Sequence, residues 1–512
     1  MRRILVPFLA VAAVDGLPAF AFVALMAGQS ARPLNGVFNN VPVLHSNQPE
    51  EVEGPGILIS TVPGVAYAAE TGQPLANAAF TFNGDFGVHL HHKYFPPYRG
   101  RIRAGQRRTE LTIALILINP GTKPVAIRFE SGAVRNSFEA PYLGNAKIGV
   151  RPLGPRPWNT GPGDATAVQL LRGQLDRRLQ NEVVIPPRNR VVLFSTEIPA
   201  LGIANALLKG RSSGPFQMAV VAASNPGSDG DLLAVLDQGR LAPGRVYLSR
   251  IEDINSRRVF SRVGGVALGD AYQAALTHDL SSQGPLHVPL TSTNRHHFGT
   301  REVQVNPLAS RMVDSSLDNV GTYGLRFDVD LDLRGSGPHQ LVLSHPTPIG
   351  GKPFIAFRGS LQVRTVDGLQ EMHVGMRSGQ SVALTTLNLQ GGVSNPVRVS
   401  LVYPADATPG HLLSVVPDSQ LARLRDQERQ LEVARAAAAA RRPTPSPQSL
   451  PPIELPDAQQ EALLPPPPPP PPLSWQGAPA LMPPVRADQS LVERYQQALE
   501  AQQQRLRGLM GN

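Results

Sequence analysis

The sequence predicts a mainly β protein: two β-sandwich-like units with short helices between them, then a helical and proline-rich C-terminal tail. Three observations carry this. Leu325, Phe327, Val329, Leu331 and Leu333 alternate with Arg326, Asp328, Asp330 and Asp332, and successive side chains of a strand point to opposite faces. The 51 Pro and 47 Gly in 512 residues exceed the usual share and mark frequent turns. Beyond residue 443 prolines cluster, with eight in a row over 465–472.

Arg2 and Arg3 precede an apolar run over 4–14, and after Asp15 and Gly16 a second follows over 17–27. A charged start, a short apolar stretch and small residues near Ala21 or Ser30 are the three parts of a secretory signal, expected over 1–31. If Asp15 is tolerated, 4–27 is instead long enough for an uncleaved anchor. Both versions place the body outside the cytoplasm, in the periplasm, in the cell envelope or secreted. No later segment approaches the ~18 apolar residues of a membrane-spanning helix, so no transmembrane segment is expected after signal removal.

Residues 111–118 (LTIALILI) are almost wholly apolar, which predicts a strand buried on both faces. Asn119-Pro120-Gly121 breaks it, and Val125, Ile127 and Phe129 resume as a returning strand. A similar unit surrounds Pro186-Pro187, between Val183 and Val191. Residues 200–208 and 231–241 are expected as short helices. The unit at Asn119 resembles that at Gly335-Ser336-Gly337, which suggests two sandwich units over 32–250 and 251–417, with a boundary near 245–260. One large sandwich with insertions is the alternative.

The tail divides into three. Residues 418–442 predict a helix, since Leu421, Leu424 and Leu431 share a face, alanines fill 436–440 and Pro443 ends it. Residues 443–485 form a spacer whose proline run makes a polyproline II rod of about 25 Å at ~3.1 Å per residue. Residues 486–512 predict an amphipathic helix: Ser490 and Glu493 make a capping box, and Val492, Tyr495, Leu499 and Leu506 recur at heptad-like spacing.

The absence of cysteine excludes disulfides, thiolate zinc sites and a cysteine nucleophile. The net charge is +9, and Arg101 and Arg103 stand in a local basic cluster suited to an anionic partner. Export argues against nucleic acid. His89 and His91 are two apart, so on a strand they share a face; with His92, and with His296 and His297 far along the chain, they are candidate ligands for a divalent metal. No other cofactor is indicated. Gly210-Arg211-Ser212-Ser213-Gly214 matches a nucleophile-elbow string, but the expected helix before it and strand after it reverse the order an elbow requires. Asp328, Asp330 and Asp332 begin like a calcium loop, yet the sixth position is Leu333 rather than Gly, so a repulsive, solvated carboxylate face is expected. Residues 262–269 lack the Lys and Ser/Thr of a phosphate loop. Gly161-Pro162-Gly163-Asp164 reads as a turn in which Asp164 caps the following segment; with Arg172 it is a candidate ligand loop.

Several strings resemble those of an uncharacterised, mainly cyanobacterial family of exported proteins, the domain of unknown function 3370. They are Asn40-Val41-Pro42-Val43, Gly56-Ile57-Leu58, Asn119-Pro120-Gly121-Thr122, Gly161-Pro162-Gly163-Asp164 with Leu171-Arg172-Gly173, Gly264-Gly265-Val266, Phe357-Arg358-Gly359 and Tyr403-Pro404-Ala405-Asp406. The resemblance covers about 33–417 and implies export, with no activity and no catalytic residues. It matches His91 and His92 but not His89, and it omits the proline-rich tail. The expected function is an exported envelope protein, structural or binding rather than enzymatic. Its partners would be an envelope polysaccharide or outer-membrane component and, for the terminal helix, a protein. The alternative is an exported metal-dependent hydrolase or sugar-modifying enzyme using the His91/His92 and His296/His297 regions.

Overall fold

Alternating or continuous apolar runs, each closed by Gly, Pro or Asn, build the strands of two stacked pairs of sheets. The computed structural model describes residues 31–440 apart from 98–108, 143–147, 156–159, 258–261, 295, 347–353 and 406. The chain is mainly β, with several sheets. In the first pair, an eight-stranded sheet is ordered Glu182–Ile185, Val125–Asn136, Ile203–Ser212, Asp85–Tyr94, Pro42–Ser46, Gly264–Leu268 and Leu308–Arg311, with Glu51–Val52 beside Asp85–Tyr94. It shares a core with a four-stranded sheet of Asn189–Pro199, Thr109–Asn119, Gln217–Ala223 and Gly56–Ser60.

In the second pair, a seven-stranded sheet runs Val37–Phe38, Ala271–Asp279, Arg326–Arg334, Asn395–Val402, Ile355–Thr365, Gly368–Arg377 and Gly149–Pro152. Its partner has Leu286–Leu290, His411–Pro417, Gly337–Ser344 and Ser381–Leu389. Phe327, Val329 and Leu331 meet Leu341, Val382 and Leu413 in the second core. Segments cross the expected boundary near 245–260 in both directions: Val37–Phe38 and Gly149–Pro152 join the second pair, and Gly264–Leu268 and Leu308–Arg311 join the first.

Residues 111–118 are buried on both faces, as expected, and Arg326–Arg334 alternates between buried and half-buried positions. The turns differ from expectation. Thr109–Asn119 and Val125–Asn136 lie in different sheets, as do Glu182–Ile185 and Asn189–Pro199, and likewise Arg326–Arg334 and Gly337–Ser344. Each turn is thus a corner carrying the chain from one sheet of a sandwich to the other, not a hairpin between paired strands.

The described helices are α1 (Pro162–Leu171), α2 (Asp229–Asp237), α3 (Ile251–Asn255), α4 (Leu280–Gln283) and α5 (Asp418–Ala440). The helix expected at 231–241 is α2, opened by a Ser228/Asp231 capping box. The one expected at 200–208 is strand instead. Ala204, Ala206 and Leu208 enter the first core while Leu207, on the other face, packs with Ala167 and Leu171 of α1. Two covered faces leave a continuous apolar run that does not distinguish strand from helix. In α5, Leu421 is buried against Val342 and Val416. The signal, the proline-rich spacer and the terminal helix lie outside the described residues.

Candidate functional site

Helix α1 lies between the eight-stranded and seven-stranded sheets and carries polar residues to each. Gly161 ends the preceding turn at φ 92°, and a Cβ there would stand 2.2 Å from the Tyr142 ring, so only glycine fits. Asp164 sits in the first turn but does not cap the helix, contrary to expectation. Its carboxylate turns to the seven-stranded sheet, where Oδ2 accepts from His373 Nδ1 at 2.9 Å and Ser360 Oγ at 3.0 Å. Asp164 is fully buried, and its Oδ1 has no partner among the described residues.

Two residues on, Thr166 turns to the other sheet, its Oγ1 accepting from Asn205 Nδ2 at 2.6 Å. Asn205 Oδ1 in turn accepts from His91 Nδ1 at 2.9 Å. At the C-terminal end, Arg172 grips Glu371 through Nε (3.0 Å) and Nη2 (2.7 Å) and also donates to the Gly154 and Pro155 carbonyls. The bond from Arg172 holds the Glu371 carboxyl below its ordinary pKa.

Asp164, His373 and Ser360 are the residue types of a catalytic triad in the wrong order. Ser360 Oγ lies 3.4 Å from His373 Nδ1, the same ring nitrogen that binds Asp164. A triad needs serine and aspartate on opposite nitrogens so that the ring can pass a proton between them. This cluster instead fastens a helix to a sheet.

The histidine candidates part company. His89 on Asp85–Tyr94 and His45 on the adjacent Pro42–Ser46 share a hydrogen bond between Nδ1 atoms at 3.1 Å. His92 donates from Nδ1 to the Pro49 carbonyl at 2.7 Å, so its Nε2 accepts from Ser46 Oγ at 2.8 Å, a satisfied neutral ring. Burial pushes His45 and His92 down to about 3 and His89 well below the ordinary value. His296 packs at Gly410 and His297 Nδ1 faces the Arg301 amide. Among the described residues no three His, Asp or Glu are grouped to hold a metal ion. Thus His91/His92 and His296/His297 have separate partners. Rings do connect the two cores: His89 to Tyr323 (6.4 Å), Tyr323 stacked on Tyr403 (6.2 Å), then His411 (5.8 Å) and His345 (5.1 Å).

Arg101 and Arg103 lie outside the described residues. The supposed repulsive carboxylate face is compensated: Asp328 binds Arg326 and Ser400, Asp330 binds Arg398, and Asp332 accepts from Ser394. Ser212 of the elbow string ends a strand, bonds Gly84 and is followed by another strand, so no elbow forms. A polar groove of about 530 Å³ near Glu139, Asp176 and Arg178 has these charges paired with one another.

Ser360, His373 and Glu371 escaped the sequence reading, being strand residues roughly 200 positions from their partners on α1. A signal did exist: His373 interrupts an apolar run of Met372, Val374 and Met376.

The fold and the site define a double β-sandwich scaffold closed by a buried helix. Residues 29–417 match the model of the family described as "Protein of unknown function (DUF3370)", and the chain belongs to that family. No curated protein matches the chain. Among the described residues no helix is long and apolar enough to cross a membrane.

Proposed function

We propose that this chain is an exported protein of the cell envelope that binds and bridges rather than catalyses. The observation that supports this most is that the groups the sequence offers for chemistry serve architecture. Asp164 and Arg172 clamp α1 to one sheet, and His91 is tied through Asn205 and Thr166 to the same helix. The pattern over 1–31 supplies the export signal. The body is the binding unit, with an envelope polysaccharide or outer-membrane component as partner, and the terminal helix takes a protein partner. The 43-residue spacer over 443–485 gives reach, with a fully extended upper limit of about 130 Å.

The test is fractionation of the tagged protein, intact and truncated after Val416, into soluble periplasm, washed wall, outer membrane and medium. The intact form is expected in wall or outer membrane, with release on truncation. Equal soluble distribution of both forms would remove the tail's bridging role. Retention of both forms in the cytosol would refute export.

A further inference from the structure

We propose that the outer face of the seven-stranded sheet binds an acidic sugar chain, with Arg364 anchoring a uronate carboxylate. This rests on the envelope-binding reading and names its ligand class. A groove of about 520 Å³ crosses Ala271–Asp279, Arg326–Arg334, Asn395–Val402 and Ile355–Thr365. Its floor is the sheet face opposite the second core.

In register across this face stand Ala275, Asp330, Arg398 and Arg364. Arg398 is satisfied, with Nε and Nη2 on the two Asp330 oxygens at 2.6 and 2.7 Å. The Arg364 side chain is exposed, directly opposite Arg398, and its guanidinium has no hydrogen-bond or ion-pair partner among the described residues. Like charges directly opposite on neighbouring strands are unfavourable. A bound carboxylate would offset that repulsion, and its planar pair of oxygens matches the guanidinium fork.

The rest of the groove selects the carrier. Ala275 and Pro396 are small apolar surfaces against which the flat face of a pyranose ring packs. The Asp332 carboxylate and the exposed Thr277 hydroxyl pair with sugar hydroxyls. A polyphosphate lacks the hydroxyls that Asp332 and Thr277 would bind. A peptide strand would add to a sheet edge rather than lie across a face.

The experiment is calorimetric titration of the full-length mature protein at low salt with tri- and tetragalacturonate, and with neutral galactose oligomers of equal length. Acidic oligomers are expected to bind at least ~10-fold more tightly than neutral ones, and Arg364→Gln to lose ~10-fold or more, the contribution of one charge-assisted pair. Because the Arg364 side chain has no partner in the described fold and faces Arg398, Arg364→Gln should keep or slightly raise the wild-type Tm, so that lost binding is not lost folding. Asp332→Asn, which leaves the anchor in place, should weaken neutral oligomers at least as much as acidic ones, since it also removes a negative charge that repels the acidic chain.

Equal affinity for acidic and neutral oligomers, wild-type affinity in Arg364→Gln, or no binding by the wild type would overturn the assignment. Fractionation keeps the two readings apart. Wall retention without galacturonate binding removes the groove and leaves the envelope role, whereas Arg364-dependent binding by a cytosolic protein does the reverse.

Discussion

Burial sets the protonation state of most histidines in this chain. Of its twelve histidines, ten are buried, and none of the rest is fully exposed. Desolvation disfavours the imidazolium: His45 and His92 are pushed down to about 3, His287 and His345 to about 4, and His89 and His411 well below the ordinary value. The folded state therefore binds fewer protons than the unfolded chain below pH 6.5. Stability is complete above that pH and falls as pH drops towards 4, with a limiting slope of about 1.4 kcal/mol per unit for each such ring. Glu50 and Glu371, lowered by Arg262 and Arg172, add loss in the same direction below about pH 4.5. Urea midpoints at pH 7.5, 6.0 and 5.0 should decline steeply. Midpoints that hold steady to pH 5 would mean that these rings are not buried neutral.

At the scale of the element, the corners matter as much as the strands. Asn119 Nδ2 reaches the carbonyls of Lys123 (2.8 Å), Ile185 (3.1 Å) and Pro186 (3.1 Å), while its Oδ1 accepts from the Gly121 amide at 2.9 Å. One side chain thus ties two corners of the first sandwich. Asn119→Ala strands one buried and three part-buried backbone groups and is expected to cost about 2–4 kcal/mol in urea denaturation; a loss under ~0.5 kcal/mol would deny the corner its role. The sequence announces this turn through Asn-Pro-Gly, and alternation announces Arg326–Arg334. It does not say that the turn changes sheets, because hairpin and corner use the same residues. Nor does it separate strand from helix at 203–212, where α1 covers the face that would otherwise be polar. Asp164 and Arg172 stood out as turn residues, but their meaning depends on Ser360, His373 and Glu371, which only the tertiary fold brings near.

In the whole molecule, two cores are joined by one buried helix and a line of aromatic and imidazole rings. Asp164 faces one sandwich and Thr166 the other, so α1 works as a staple that makes its side-chain bonds to both sheets only when both are in place. The two sandwiches should consequently unfold together. A catalytic Asp164 would behave differently, since its removal would cost activity and leave the fold intact.

Scanning calorimetry of the wild type and Asp164→Ala tests this most directly. Removing the carboxylate leaves His373 Nδ1 and Ser360 Oγ buried without their acceptor, a loss of about 3–5 kcal/mol. The wild type is expected to show one cooperative transition. In the Asp164→Ala variant the Tm is expected to fall by about 4–6 °C, with the peak broadening into two as the sandwiches uncouple. A variant with an unchanged single transition, within about 1 °C of wild type, would contradict the claim that the chemistry-bearing residues of α1 hold the fold together.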